Sequence, residues 1–441
     1  MISCGHHRFL VTGVRKEAST NVRLWLVSLI LMAACLVKYD PWSDLHRPYA
    51  IPIPSEALRI AHNLYRSGEF ADPFGTLPTG YTAHIAPGFP ILASALFKTF
   101  GDGAAGWVAL SWLPILALSL QVALLPILSR MLGYSPWTGV IAAIFALLTK
   151  PVTYEQWEAH EAGLLIFLLA AVMCRRANPW LTGALAGLTI CFQPVMAPVY
   201  LAWVFLAAGG AAIRNGRAIP LLVAPAIICV PWMLRNQLRL GTPWLRDDLG
   251  IELYVSFNDC APSGFEQSQK QGCFGQFHPN QNLAEALALR GMGEASYNRD
   301  RMRRAFSWMA QHPARAGLLV AERILAFWFP PNDRWPEYLH IRKRRLFFFW
   351  ALSIASLAGV WLSLRRRIAG APFLAALLAL YPLVYYIVQF DHRYRYPILW
   401  TAWLAAAYLF ESFFAHERAQ LSPELIASIK QRTLAFPSNP R

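Results

Sequence analysis

Long apolar runs separated by short polar turns dominate the chain, and each run of suitable length reads as a spanning helix. Crossing a bilayer takes roughly 20 mostly apolar residues. The first six candidates are Val22–Val37, Ala104–Leu128, Trp137–Thr149, Ala159–Cys174, Trp180–Phe192 and Val195–Ile213. Ala218–Leu234, Leu346–Leu364, Ala371–Phe390 and Ile398–Phe414 follow. The pattern therefore predicts an all-α polytopic membrane protein with about ten transmembrane helices. The first run follows a basic leader and has no A-x-A-like site after it, so it reads as a retained span.

Two stretches break this rhythm. Residues 38–103 and 235–345 are mixed in character and too long for turns. In the first, Ala57, Leu58, Ala61, Leu64 and Tyr65 recur at helical spacing, so Ser55 to Tyr65 reads as an amphipathic helix. Ser55 suits its N-cap and Gly68 its stop. Pro87 to Phe100 is apolar but too short to span, which fits an interfacial or re-entrant helix. In the second stretch, Ala314 to Phe329 reads as a surface helix ending before Pro330-Pro331. The chain thus divides into an N-terminal membrane module (1–234), a large outer segment (235–345) and a C-terminal membrane part with its tail (346–441).

Charge orients the spans. Arg8, Arg15 and Lys16 precede the first with Arg23 at its start, and Arg130 follows the second. Arg175-Arg176, Arg214 with Arg217, and Arg365-Arg366-Arg367 follow the fourth, sixth and eighth. These are alternate ends, so the positive-inside rule places both termini in the cytoplasm and both long stretches outside. The basic run Arg342-Lys343-Arg344-Arg345 falls outside in this scheme and is its exception. The net charge of +15 is scattered among these clusters, which argues for a topology signal and against nucleic-acid binding. Only 15% of residues are charged, against roughly 25% in soluble domains.

Candidate chemistry concentrates at the outer ends. Glu56 opens the first outer helix, where the helix dipole keeps a carboxylate ionised; it reads either as a surface acid or as a general base. Glu155, Glu158, His160 and Glu161 crowd the short turn before the fourth span. Acids so near hydrocarbon are costly and tend to be functional, and Glu161 directly precedes the apolar run. Arg393 and Arg395 alternate with Tyr394 and Tyr396; they read as interfacial anchors or as forked phosphate donors. His84 is a turn residue or a further phosphate donor. Cys35, Cys174, Cys191 and Cys229 lie in or beside spans, whereas Cys260 and Cys273 sit in a polar outer loop. In an oxidising compartment that pair is expected to form a disulfide. Phosphate-loop, G-x-S-x-G and H-E-x-x-H patterns do not occur, which disfavours ATP-driven transport and serine or zinc hydrolysis.

Ordered along most of the chain, several short motifs resemble one family. Ser55-Glu56, Ala61, Leu64, Gly68, Pro73, Pro87, Pro90 and Phe100-Gly101 fit the first outer loop of the bacterial membrane glycosyltransferases of C-type fold. These are similar to glycosyltransferase family 39, the protein O-mannosyltransferases and lipid A aminoarabinose transferases. Glu161 takes the place of that family's second acid. Pro231-Trp232, Arg235-Asn236 and Gly241 resemble its P-W-x-x-R-N-x-x-x-x-G. His312-Pro313, Arg323, Phe327-Trp328 and Pro330 resemble a later surface helix, and Arg393-Tyr394 with Pro397 its R-Y-x-x-P. One departure is Ser55, where the family carries a catalytic Asp; Glu56 takes over, or Asp40 or Asp44 reaches the site.

The resemblance implies a C-type fold and a polyprenyl-phosphate sugar donor. It implies transfer at the outer face of a bacterial plasma membrane, with an acceptor that is a lipid, a polysaccharide or a protein. No cofactor is required by any cluster, though an acid pair could bind a divalent metal. The competing class is a polyprenyl-lipid-binding protein without catalysis, or a secondary transporter.

Overall fold

In the computed structural model, residues 23–24, 26–38, 55–149, 178–214, 218–335 and 343–414 are described. Asp40, Asp44 and Glu161 lie outside them, as do Glu155, Glu158 and His160. Among the described residues the secondary structure is helical, with two isolated bridges and no named strand.

Four described helices are long and apolar enough to cross a membrane: Ala104–Met131, Ile219–Leu240, Leu346–Arg365 and His392–Phe414. Six shorter apolar helices accompany them, among them Leu26–Lys38, Pro136–Thr149 and Pro179–Phe192. This is the build of a multi-pass membrane protein. Its outward belt fits, since Ile227, Phe347, Ile354, Trp361 and Phe413 are exposed although apolar. Inside, small residues bring backbones together. A Cβ on Gly359 would lie 1.9 Å from the Ala405 carbonyl oxygen, so the helices carrying them touch main chain to main chain.

Two expected elements change shape. The run Ala371–Phe390 is not one helix, because Pro382 has no N–H to continue the ladder. Helix Ala371–Leu380 stops there, and a short helix Leu383–Ile387 follows. The chain then extends, with Phe390 N–H donating to Ser263 O at 2.9 Å and Phe265 N–H to Phe390 O at 2.9 Å. Segment 235–345 is also more helical than expected. Besides Pro313–Trp328 it holds Leu249–Ser256, Phe265–Lys270, Leu283–Met292 and Glu294–Gln311. Leu253, Phe257, Ala305 and Leu319 form one buried cluster across three of these helices, so their apolar faces meet one another. Cys260 and Cys273 are joined by a disulfide, with Cα atoms 5.9 Å apart.

The bundle's two ends are distinct. Gly370 N–H donates to Leu132 O at 2.8 Å, which gathers Arg130 and Arg365–Arg367 at one end. Lys343–Arg365 spans 23 residues, about 34 Å at 1.5 Å per residue, so its basic start lies at the opposite end. There Trp350 Nε1 donates to Pro330 O at 3.1 Å, against the large outer segment.

The first outer helix is Glu56–Arg66. The Ser55 hydroxyl accepts from Leu58 N–H at 3.4 Å, and the chain leaves through Gly68 at φ +76°, a conformation suited to glycine. Leu58 and Ala61 pack on Phe89, Ala93 and Phe97 of helix Gly88–Phe100. This packing fixes the direction in which Glu56, at the helix start, projects.

Candidate functional site

Glu56 points at two histidines. Its Oε2 lies 3.3 Å from His84 Nε2, and its Oε1 lies 3.8 Å from His278 Nε2. Both imidazoles are 2% exposed while the carboxylate is 23% exposed, so the acid is the side of the cluster that meets the outside. Phe74 packs beside both rings, 4.9 Å from His84 and 5.8 Å from His278, and Phe274 stacks on His278 at 4.4 Å.

The His84 segment is fastened on every side. Its N–H donates to Thr82 Oγ1 at 2.9 Å, and Arg246 Nε donates to its carbonyl at 3.2 Å. Thr82 Oγ1 in turn donates to Glu294 Oε2 at 2.5 Å, and Ala83 N–H donates to Glu294 Oε1 at 2.6 Å. Arg235 donates to Thr82 O at 2.8 Å and Phe70 O at 2.9 Å while lying over the Phe70 and Trp232 rings. The motif Pro231-Trp232 with Arg235-Asn236 thus ties the first outer loop to the end of a membrane helix.

Electrostatics divide the acids into two kinds. Burial works against the Glu56 carboxylate, but the His84 imidazolium outweighs it and holds the acid down to about 2. The same pairing overcomes the burial of His84 and pushes it up to about 9. Burial pushes His278 down to about 4, so that ring is neutral near pH 7. Glu252 behaves oppositely to Glu56. Burial and the neighbouring Asp248 carboxylate push it up to about 7, with Arg246 pulling the other way. Burial likewise pushes Glu294 up to about 7.

Arg246 is the cation at the centre. It pairs with Asp248 at 2.5 Å, its side chain is 34% exposed, and it feels Glu252, Tyr385 and Tyr394 as well. Tyr394 stacks on Tyr385 at 4.3 Å and senses Glu252, Asp391 and Arg393. The early carboxylate helix and the late basic-aromatic cluster therefore belong to one electrostatic neighbourhood.

Within that neighbourhood the late arginines differ. Arg393 makes a forked pair with Asp391, at 3.0 and 2.8 Å, and keeps a 28% exposed side chain. Arg395 is buried; it donates to Trp328 O at 3.2 Å and Ser353 Oγ at 3.0 Å and lies over the Phe327 and Trp328 rings. His84 turns its Nε2 to Glu56. His278, Arg246, Glu252 and Glu294 escaped the sequence reading. Of these, Glu252 carried a signal, because it stands four residues after Asp248, a spacing that puts two acids on one helix face.

No protein-family model and no curated protein matches the sequence. Similarity to solved structures is found in shape. The apo oligosaccharyltransferase of Archaeoglobus fulgidus matches with TM-score 0.52 and 16% identity, over 92% of this chain and 52% of that one. The same archaeal enzyme tethered to an acceptor peptide with the NVT sequon matches with TM-score 0.50 and 16% identity, over 90% and 50%. The fold is the C-type glycosyltransferase fold. ArnT from Cupriavidus metallidurans bound to undecaprenyl phosphate is a looser likeness, with TM-score 0.36 and 14% identity over 92% and 80%. This C-type chain spans about half the length of the archaeal chains it matches.

The Glu56–His84–His278 cluster also suits a divalent cation. One carboxylate oxygen and two ring nitrogens lie within 4.8 Å of one another, a two-imidazole, one-carboxylate set of the kind zinc accepts. Among the described residues His84 Nδ1 is buried without a hydrogen-bond partner, and a cation bound at Nε2 would have to displace the proton of the His84 imidazolium.

Proposed function

We propose that this protein is an integral-membrane glycosyltransferase that moves a sugar from a polyprenyl-phosphate donor to an acceptor at the outer face of a bacterial plasma membrane. The observation that carries the reading is the joining of Glu56, His84 and His278 to Arg246 and Glu252, where two outer segments meet the membrane helices. Both termini then lie in the cytoplasm, and residues 38–103 and 235–345 form the outer face. The C-type fold supports this reading.

The chemistry asks for two things. The leaving group is a phosphate, already stable as an anion, so it needs positive charge more than a proton. Arg246 and Arg393 supply it, both partly exposed beside the acids. Arg395, held among rings and a carbonyl, positions the loop that carries Arg393. The acceptor hydroxyl or amine needs a base, and a base works best when its pKa lies near the working pH. Glu252 has that property; Glu56, held down by His84, stays a fixed negative charge. A single displacement with one base inverts the anomeric carbon, by analogy with inverting sugar hydrolysis. A divalent cation held by Glu56, His84 and His278 would add Lewis-acid stabilisation of the departing phosphate. Asp40, Asp44 and Glu161 remain candidates for a second acid.

Purified protein in lipid vesicles, given radiolabelled polyprenyl-phosphate sugars and candidate acceptors, tests the reading. Label appearing on an acceptor supports it. Lipid-linked sugar that crosses the bilayer or binds without transfer points to a transporter or lipid-binding protein instead.

A further inference from the structure

His278 has no long helix behind it. It follows a single turn, Phe274–Phe277, and precedes the turn Pro279-Asn280. Its placement comes from what flanks it. On the later side, Gly75 N–H donates to Asn280 Oδ1 at 2.8 Å, and Thr76 Oγ1 donates to Pro279 O at 2.8 Å. On the earlier side stands Cys273, 1% exposed, bonded to Cys260. Cys260 lies four residues past the helix Leu249–Ser256, which carries Glu252. Asn258 reinforces the junction: its Oδ1 accepts from Cys260 N–H at 3.1 Å and lies 3.5 Å from Cys273 Sγ. Phe274 begins immediately after Cys273 and stacks on His278 at 4.4 Å.

We propose that the Cys260–Cys273 disulfide is the positioning element for His278, so that the histidine joins Glu56 and His84 only in the oxidised chain. The bond connects the helix bearing Glu252 to the segment bearing His278, and so sets one part of the site against another. Covalent attachment matters here because the turn Phe274–Phe277 is too short to hold its own conformation. His84 needs no such device, since Thr82, Glu294, Arg235 and Arg246 already fasten its loop. Opening the disulfide should therefore affect one imidazole and spare the other. The importance of this for catalysis rests on the transferase reading above; the placement of His278 does not.

The test reads the two histidines separately. Full-length protein in detergent is treated with diethyl pyrocarbonate, and carbethoxylation of His278 and His84 is timed by peptide mass spectrometry. Three forms are compared: untreated protein, Cys260→Ser/Cys273→Ser, and protein reduced with a water-soluble phosphine that is removed before labelling. That reduction leaves two thiols and converts the phosphine to its oxide, with oxygen from water. Expected is a rise of about tenfold or more in His278 labelling in both disulfide-free forms, as for a segment that opens locally, with His84 unchanged. Unchanged His278 labelling overturns the proposal. So does an equal rise at both histidines, which would mean general loosening. A transfer assay adds a double-mutant cycle: in His278→Ala protein, loss of the disulfide should cost no further activity. A further loss of the same size as in wild type would also overturn it. Absence of transfer in every form would count against the proposed function, and the labelling result would still decide the disulfide's role.

Discussion

The Glu56 cluster and the Asp391–Arg395 turn are built from the same kinds of side chain, and they use them in opposite ways. At the turn, Asp391 and Arg395 are closed in, and Arg393 keeps a partly exposed side chain. Asp391 is 4% exposed and pairs with Arg393 and with His392 at 3.0 Å, while Arg395 meets a carbonyl, a hydroxyl and two aromatic rings. Around Glu56 the charges are left partly open. The acid is 23% exposed, Arg246 34%, and Glu252 sits at a pKa that lets it change state near pH 7. A buried ion pair with all partners present is weak evidence of function, because it is also what a stable fold requires. Acids pushed to different pKa values side by side are better evidence, since that arrangement divides fixed charge from movable proton.

The contrast breaks first at Glu252. If it is the base, Glu252→Gln lowers transfer by about 10²–10⁴-fold, the usual range for general-base loss. The wild-type rate should rise with pH up to about 7 and then level, because the acid must lose its proton to act; the variant should lose that rising limb. A full limb in Glu252→Gln, seen in a pH–rate profile, would move the base elsewhere. Next comes Glu56→Gln, expected to cost about 10²–10³-fold in kcat/KM with expression intact, as for loss of a fixed charge aimed at the reacting centre. Near-normal turnover would shift attention to Asp40, Asp44 and Glu161.

Smaller effects sharpen the other side of the comparison. Arg395→Ala removes the donor to Ser353 Oγ and one of the two donors to the Trp328 carbonyl, which keeps the Ser353 hydroxyl, so it should cost roughly 1–3 kcal/mol of stability, read as a lower thermal midpoint in detergent. The protein that remains folded should keep its donor affinity; a selective fall in affinity would return Arg395 to the phosphate. Arg393→Ala should weaken donor binding by roughly 1.5–3 kcal/mol, with Lys restoring only part because the fork is lost. Equal binding by all three forms would leave Arg393 only its pairing with Asp391.

Much of the frame was legible because it is periodic. The expected Ser55–Tyr65 helix is found as Glu56–Arg66, Pro87–Phe100 as Gly88–Phe100, and Ala314–Phe329 as Pro313–Trp328. Each has an apolar repeat and a stop residue that local chemistry explains. The break at Pro382 was also written in the chain, yet apolar content alone ran straight through it. The site was less legible. Glu56 and His84 stood out for their positions, but His278 lies 222 residues from Glu56 in a stretch with no period and no motif. Only the packing of the two outer segments brings it across. Arg393 and Arg395 looked equivalent in sequence, since alternation says nothing about which side chain a helix end will cover.

The last described helix has a consequence for how the protein is made. Of the four long apolar helices, His392–Phe414 is the least apolar and the most enclosed, with 72% of an 18-residue stretch of it buried. Its enclosing partners among the described residues, including the helix that meets Ala405 through Gly359, precede it in the chain. A ribosome therefore releases the walls of the bundle before the pillar that fills it. Until this helix arrives, Trp400, Trp403 and Leu404 have no counterpart in the membrane, and the surfaces that will cover them are left open. A chain cut short before residue 392 would keep its outer loops and lose the centre around which its earlier helices close.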